Sequence, residues 1–196
     1  MPVAVPKDRR IAAPPKSPPR PRAAGDARPL ALLLALTIVS VSACDDDGPY
    51  APPPESNTEC GPAHATVVRA VDGDTIDLDT GDRVRYLMID TPESTQGKID
   101  CYGEEAHEYN ARLVEGQEVD LYYDEQCRDT YGRLLAYVHT DAGEVNRILI
   151  RQGYACFYSI PPNGYERIDE FRALEREASV LHSGLWGACS VVTCQH

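Results

Sequence analysis

Short apolar segments separated by turn residues follow one another from residue 66 onward. Alternating or continuous apolar positions predict five β-strands, at residues 66–71, 75–79, 83–89, 118–123 and 134–139. Gly81 lies in the turn between the second and third segments, where a hairpin commonly needs a positive φ. The chain therefore predicts a sheet of short strands that are joined mostly by tight turns.

Three longer segments have the apolar spacing that is typical of a helix. They cover residues 104–113, 146–152 and 165–181. The second ends before Gly153, and glycine is common just after a helix. One face of the third carries Ile168, Phe171, Leu174 and Ala178. With a helix between the third and fourth strands, the order predicts an α+β fold, a five-stranded Greek-key β-barrel of the OB-fold type with three α-helices.

The N-terminal part of the chain has the pattern of an export signal. Residues 1–29 are basic and rich in proline, and residues 30–39 form an apolar run that is short for a membrane span. Residues 41–44 (VSAC) follow, and they resemble the lipobox of bacterial lipoproteins. We expect residues 1–43 to be a lipoprotein signal peptide and Cys44 to be lipidated, which would anchor an exported protein to a membrane of the cell envelope. The alternative is an ordinary cleaved signal peptide.

The remainder of the chain is strongly acidic. We expect residues 44–62 to be an acidic, proline-rich tether, residues 63–188 one compact domain, and residues 189–196 a tail that contains cysteines. Residues 1–43 contain seven of the 19 basic residues and two of the 31 acidic ones, so 12 basic and 29 acidic residues remain, a formal charge of −17. This charge argues against nonspecific affinity for a polyanion, because such affinity comes mainly from lysine and arginine.

Six cysteines remain if Cys44 is lipidated: Cys60, Cys101, Cys127, Cys156, Cys189 and Cys194. An even number of cysteines in an exported protein predicts disulfides, here three, with the pairing left open by the spacing. A zinc site does not fit, because no CxxC pair occurs.

Two acidic motifs lie where predicted strands end. Residues 72–75 (DGDT) join the first strand to the second, and residues 90–93 (DTPE) follow the third. In a tightly curved sheet both can lie at the same end of the barrel, where Asp74, Asp90 and a strand-end carbonyl would offer the oxygen ligands that Ca²⁺ accepts. Taken singly, each motif is better explained by turn chemistry.

Two arginines add a second kind of chemistry. Arg85 lies within the apolar third strand, and Arg133 directly precedes the fifth. A buried ion pair would explain Arg85, and a solvated turn would explain Arg133. Together, two guanidiniums can bind a phosphodiester bidentately and stabilise the negative charge that develops during its hydrolysis. Glu93 could then deprotonate or orient the attacking water.

Five motifs of the chain occur in the order and spacing of the staphylococcal nuclease (thermonuclease) family, which the chain resembles from about residue 65 to residue 186. These motifs are residues 71–75, 85–93, 102–106, 129–137 and 151–155. The resemblance implies an OB-fold and Ca²⁺-dependent hydrolysis of DNA and RNA that leaves 3′-phosphates. It also implies that Asp74 and Asp90 bind Ca²⁺ through their carboxylates and Thr91 through its backbone carbonyl.

The resemblance implies catalytic and substrate-binding roles as well. Arg85 and Arg133 would bind the phosphate, and Arg133 would also stabilise the transition state and the leaving group. Glu93 would act on the attacking water, as its general base or as its orienter. Tyr131 and Tyr158 would contact the substrate. We expect a monomer whose partner is its nucleic-acid substrate.

The chain departs from the pattern of the family at three points. Thr130 replaces a lysine that often precedes the matching tyrosine, Ile160 falls where a second pocket tyrosine occurs, and the domain is acidic. We therefore expect weak nucleic-acid binding that depends strongly on salt and on Ca²⁺. The alternative function is a catalytically weak or inactive binding module on the cell envelope, but the complete set of predicted metal and catalytic residues favours an enzyme.

The resemblance also suggests a pairing for two cysteines. Cys101 and Cys127 belong to loops that flank the nucleotide in the family, so a Cys101–Cys127 disulfide would brace both walls of the cleft. Of the other cysteines, we expect Cys60 or Cys156 to pair with the C-terminal tail.

Overall fold

The computed structural model describes residues 58–95, 97 and 99–192. The predicted signal peptide, Cys44, most of the predicted tether and the end of the tail with Cys194 lie outside the described residues. Within these ranges, no helix is both long enough and apolar enough to cross a membrane.

A closed five-stranded β-barrel forms the centre of the described domain. In chain order, the strands of the described part are β1 (His64–Ala70), β2 (Thr75–Leu78), β3 (Arg83–Tyr86), β4 (Ile89–Asp90), β5 (Glu118–Arg128), β6 (Leu134–Thr140), β7 (Gly143–Glu144) and β8 (Cys156–Phe157). The barrel strands follow the order β3-β2-β1-β5-β6 in antiparallel pairs, and a parallel pairing of β3 with β6 closes the barrel. The predicted OB-fold architecture is confirmed.

The three predicted helices are present, with changed boundaries. The helices of the described part are α1 (Gly103–Val114), α2 (Val145–Arg151), α3 (Ile168–Val180) and the single-turn α4 (Leu185–Ala188). On α3, Phe171, Leu174 and Ala178 are buried as predicted, whereas Ile168 is only partly buried. The predicted start of this helix forms a separate 3₁₀ turn, Tyr165–Arg167, which follows Gly164 in a left-handed conformation.

The predicted strand at residues 83–89 is not continuous. β3 ends at Tyr86, and a turn at Leu87 and Met88 leads into β4. Met88 has a φ of 66°, which is incompatible with a strand, and its carbonyl accepts a hydrogen bond from the Tyr158 amide. β4 consequently pairs with β8 instead of continuing the barrel sheet, and this pairing carries Asp90 away from the barrel strands.

Strand β5 is longer than the predicted segment 118–123. It continues through a polar stretch to Arg128, with an irregular register between Tyr123 and Arg128. The Asn163 side chain supports this stretch, because its Oδ1 accepts from the Gln126 amide and its Nδ2 donates to the Gln126 carbonyl. The apolar pattern could not predict this extension, since a side chain from a distant loop supplies the missing backbone partners.

The predicted Cys101–Cys127 disulfide is wrong. Cys60 pairs with Cys127, and Cys101 pairs with Cys189. The segment before β1 runs beside β5, where the Tyr123 hydroxyl donates to the Pro62 carbonyl, so Cys60 lies next to Cys127. Cys60 is therefore not tied to the tail. Cys156 is also disulfide-bonded, and its partner lies outside the described residues.

One buried amide connects α2 to the barrel. Asn146 is completely buried, and its Nδ2 donates to the carbonyls of Leu87 and Ala136 while its Oδ1 accepts from the Val138 amide. Leu87 belongs to the turn that separates β3 from β4. Asn146 thus satisfies backbone groups where the barrel sheet is interrupted.

We predict that Asn146→Ala lowers the free energy of unfolding by about 3 kcal/mol, because it leaves buried backbone groups of Leu87 and Val138 without partners. Urea denaturation measured by circular dichroism tests this. Gln152→Ala is the control, since Gln152 is exposed at the end of the same helix. Equal effects of the two substitutions would show that the amide contributes only through helix propensity.

Candidate active site

All eight residues that the sequence predicted for the site line one cleft of about 520 Å³. They are Asp74, Arg85, Asp90, Thr91, Glu93, Tyr131, Arg133 and Tyr158. The lining also includes Ile160, at the expected place of a second pocket tyrosine, and four residues without a predicted role: Asp72, Thr95, Asp100 and Asp129. The fold therefore brings the two acidic motifs and the two arginines together.

The two acidic motifs touch each other through Asp74 and Thr91. The amide and the hydroxyl of Thr91 both donate to Asp74 Oδ2, at 2.9 and 3.1 Å. A glycine between the two aspartates of the first motif permits this approach, because a Cβ at Gly73 would lie only 2.6 Å from Thr91 Oγ1. Any larger residue at position 73 would push the motifs apart.

Arg85 bridges the two motifs and is almost completely buried, with 5% of its surface exposed. Its Nε lies 3.1 Å from Asp74 Oδ1, and its Nη2 donates to Asp90 Oδ1 at 2.8 Å. Nη1 donates to the carbonyls of Tyr86 and Ile89. The second N–H of Nη2 has no partner among the described residues, which leaves one donor for a ligand.

Helix α1 contacts the first acidic motif, residues 72–75, through the side chain of Asn110. The Asn110 side chain is fully buried; its Nδ2 donates to the Asp72 carbonyl and its Oδ1 accepts from the Tyr86 hydroxyl. The helix thereby connects the first motif to the end of β3 with neutral hydrogen bonds. Asp72 is itself held in the motif, because its Oδ1 accepts from the Asp74 amide.

The same helix also positions Glu93. The Glu93 amide donates to Asp100 Oδ2 and the Asp100 amide donates to the Glu93 carbonyl, at 3.3 and 2.8 Å. The first residue of α1, Gly103, packs so closely that a Cβ there would lie 2.3 Å from the Glu93 carbonyl oxygen. The carboxylate of Glu93 is partly exposed and has no hydrogen-bond partner in the described part of the chain. Its backbone is thus fixed while its carboxylate is available.

A tight turn at residues 129–133 presents Tyr131 and Arg133. Asp129 Oδ1 accepts from the amides of both residues, and Asp129 Oδ2 accepts from Arg133 Nε at 2.7 Å. Gly132 adopts a φ of 83°, which favours glycine. Tyr131 is 85% exposed, with the Arg133 guanidinium 5.5 Å from its ring centroid. The hydrogen bonds of the described residues hold Arg133 through Nε alone, which leaves Nη1 and Nη2 as donors for a ligand.

The cleft contains more carboxylates than the sequence motifs predict. Asp72 and Asp129 lie inside the motifs that were recognised, but only the fold shows that they border the cleft; Asp100 had no sequence signal. Partial burial, and secondarily the charge of Asp74, raise the pKa of Asp72 to about 7. Because six carboxylates and only two arginines line the cleft, the site has an excess of negative charge in the absence of a cation.

The donor chemistry of the cleft fits a hard cation. No group of three or more His, Cys, Asp or Glu residues in the described ranges could hold a metal ion by itself. The protein would instead offer the carboxylates of Asp74 and Asp90 and the backbone carbonyl of Thr91, which accepts no hydrogen bond from a described residue. A partial shell of oxygen atoms, completed by water, suits Ca²⁺ better than a metal that prefers nitrogen or sulfur ligands.

Comparisons with known proteins identify the family of the chain. The family model described as "Staphylococcal nuclease homologue" matches residues 83–188. The chain is 38% identical over 147 residues to "Endonuclease YncB" of Bacillus subtilis, which covers 71% of this chain and 69% of that protein. It is 30% identical over 160 residues to the "Thermonuclease" of Staphylococcus hyicus, which covers 79% of this chain and 93% of that protein. On this evidence, the chain belongs to the staphylococcal nuclease family.

Proposed function

We propose that this chain is a Ca²⁺-dependent nuclease that hydrolyses phosphodiester bonds in DNA and RNA and leaves 3′-phosphates. The observation that carries the proposal is the convergence of Arg85, Glu93 and Arg133 with the two acidic motifs around one cleft. Relatives that are named endonuclease and thermonuclease support a hydrolase that acts on phosphodiester bonds.

The two arginines bind the scissile phosphate from different elements. Arg85 is rigid, because its guanidinium is buried and bridges Asp74 and Asp90, and it offers its remaining Nη2 donor. Arg133 lies at the more exposed side of the cleft and offers its outer nitrogens. Positive charge placed in advance stabilises the negative charge that grows on the phosphate oxygens as water attacks.

Glu93 acts on the attacking water. Its carboxylate has no competing partner among the described residues, whereas its backbone is held by Asp100 and packed against Gly103. A fixed backbone with an available carboxylate suits a group that must accept or orient a proton of water. The substrate contacts are assigned to Tyr131 and Tyr158, which border the same cleft.

Asp74, Asp90 and the Thr91 carbonyl would hold Ca²⁺. When bound, the ion supplies positive charge that offsets the charge of a phosphate oxygen. Its binding is also favoured by the unbalanced carboxylates of the cleft, because Arg85 and Arg133 are outnumbered there by acidic side chains.

We predict that Glu93→Gln lowers kcat for cleavage of single-stranded DNA by about 10²- to 10⁴-fold, the usual contribution of a general base. Arg133→Ala should lower kcat by about 10²- to 10³-fold, the scale for loss of a transition-state donor. EDTA should abolish the activity of the wild type, and added Ca²⁺ should restore it. The measurement is a cleavage assay on protein with intact disulfides.

Glu104→Gln is the control for charge, because Glu104 is exposed on α1 and does not line the cleft. Wild type that binds nucleic acid but cleaves none, with or without Ca²⁺, would contradict the proposal and leave the inactive binding module. Cleavage that persists in EDTA would contradict the assignment of the ion.

We predict that Asp72→Asn stabilises the metal-free protein at pH 8.5 but not below about pH 4. Folding raises the pKa of Asp72 from 3.8 to about 7. The folded state therefore binds the proton of the Asp72 carboxyl group more tightly than the unfolded state does. The resulting stability is fully present below the unfolded pKa and is lost as the pH rises through 7. Asparagine retains the acceptor for the Asp74 amide and removes the charge.

Urea denaturation in EDTA at several pH values measures this difference. An advantage of Asp72→Asn that is the same at pH 4 and pH 8.5 would contradict an origin in the titration of Asp72. Glu104→Gln again serves as the control, since an exposed carboxylate should give little pH-dependent difference.

We also propose that the chain is exported and anchored to a membrane of the cell envelope through a lipid on Cys44. The described cysteines support an oxidising compartment, because Cys60, Cys101, Cys127, Cys156 and Cys189 are all disulfide-bonded.

We predict that Cys44→Ser moves the protein from the membrane fraction to the soluble fraction of the cells that express it, because no lipid can then be attached. Fractionation followed by immunoblotting measures the shift, and cleavage activity per molecule should be unchanged. Membrane association that survives the substitution would contradict the anchor.

A further inference from the structure

A second cleft, of about 700 Å³, adjoins the candidate active site. Tyr131 and Arg133 line both clefts. The other residues that line the second one are Asp77, Gly81, Asp82, Arg83, Arg128 and Gly132. A molecule bound at Arg133 that extends past Tyr131 would therefore enter this second cleft.

The parallel pairing of β3 with β6 explains why arginines meet here. Val84 is paired with Leu134, so the residues just before them, Arg83 at the start of β3 and Arg133 directly before β6, lie at the same edge. Arg128 crosses between the two turns at this edge, because its Nη2 donates to Asp82 Oδ1 and its Nη1 donates to the Gly132 carbonyl.

Carboxylates hold these arginines in place without covering them. Arg83 donates through Nε and Nη2 to Asp77, which Arg69 also contacts, and these hydrogen bonds, with that of Arg83 foremost, lower the pKa of Asp77. The side chains of Arg83 and Arg128 nevertheless remain 45% and 43% exposed. Each keeps N–H groups that have no partner among the described residues, Nη1 of Arg83 and Nε of Arg128.

The local charge differs from that of the protein as a whole. Between residues 58 and 192 the chain has 25 acidic residues and 11 arginines. Among the residues that line the second cleft the proportion is reversed, with three arginines, Arg83, Arg128 and Arg133, against two carboxylates, those of Asp77 and Asp82. An anion is therefore repelled less in this cleft than in the first one, which six carboxylates and two arginines line.

We propose that Arg83 and Arg128 form an arginine groove, together with Tyr131 and Arg133, that binds the backbone phosphates of a nucleic-acid strand next to the scissile one. The proposal rests on the proposed nuclease function. It explains how the active site could bind a strand that extends beyond the scissile phosphodiester. Half-exposed guanidiniums suit phosphate oxygens, which they contact bidentately. The exposed ring of Tyr131, at the border of both clefts, can stack on a base between the two sites.

The test compares Arg83→Gln with wild type on a dinucleotide and on a single strand of about 12 nucleotides, which is long enough to occupy both clefts. We expect the ratio of the KM for the strand to the KM for the dinucleotide to rise about two- to fivefold, the scale of one exposed ion pair. The dependence of log KM on log salt concentration for the strand should lose about 0.7 of its slope, since one phosphate contact is removed. Arg83→Lys should keep the KM ratio and the salt dependence close to their wild-type values, because the positive charge is kept.

Arg112→Gln is the matched control. It removes the same charge from an exposed arginine on α1 that lines neither cleft, so the KM ratio should stay at the wild-type value. A KM ratio that is unchanged in Arg83→Gln, or that rises equally in Arg112→Gln, would overturn the arginine groove.

Binding of the strand in the presence of Ca²⁺, followed by fluorescence anisotropy, separates this inference from the proposed catalysis. A wild type that cleaves neither substrate but binds the strand more tightly than Arg83→Gln does would refute the catalysis and support the arginine groove. A strand that binds wild type and Arg83→Gln equally, or binds neither, would overturn the groove whatever the outcome of the cleavage assay.

Discussion

The site depends on the ion pairs of one buried guanidinium. Arg85 contacts Asp74 through Nε and Asp90 through Nη2, and only 5% of its surface reaches solvent. Two carboxylates this close would repel each other, and a buried arginine without partners would be strongly unfavourable. The guanidinium and the two carboxylates thus stabilise one another, and they hold the two acidic motifs together without a ligand.

The irregularities of the barrel serve this arrangement. The turn at Leu87 and Met88 interrupts the strand that contains Arg85 and redirects Asp90 toward β8. Asn146 satisfies the backbone where the sheet is interrupted, and Asn110 connects the first acidic motif to α1. A regular sheet would leave Asp90 on a barrel strand, so the interruption is part of what builds the cleft.

The charge of the chain poses a physical problem for a protein that acts on polyanions. One local departure from this charge is the second cleft, where three arginines and two carboxylates line the surface although acidic residues predominate in the chain as a whole. The arginines there are paired with carboxylates, which orients the guanidiniums but reduces the net attraction to phosphate. Under the proposed function, specific contacts and a cation at the acidic motifs would supply affinity that a basic surface would provide nonspecifically.

The sequence by itself determined the approximate location of the barrel strands and of the three main helices, because alternation and helical spacing are local properties. Its ordered motifs, and the family resemblance that they carry, also identified eight of the residues that line the cleft. Only the tertiary structure decided the break after Tyr86, the extension of β5 and the disulfides Cys60–Cys127 and Cys101–Cys189. It also decided the place of Asp100 and the juxtaposition of Arg83 with Arg133. The break depends on a positive φ at Met88, the extension of β5 on the side chain of Asn163, and the arginine pair on the parallel pairing of β3 with β6. Such features depend on the conformation of one residue or on which distant segments become neighbours, and neither leaves a periodic signal in the chain.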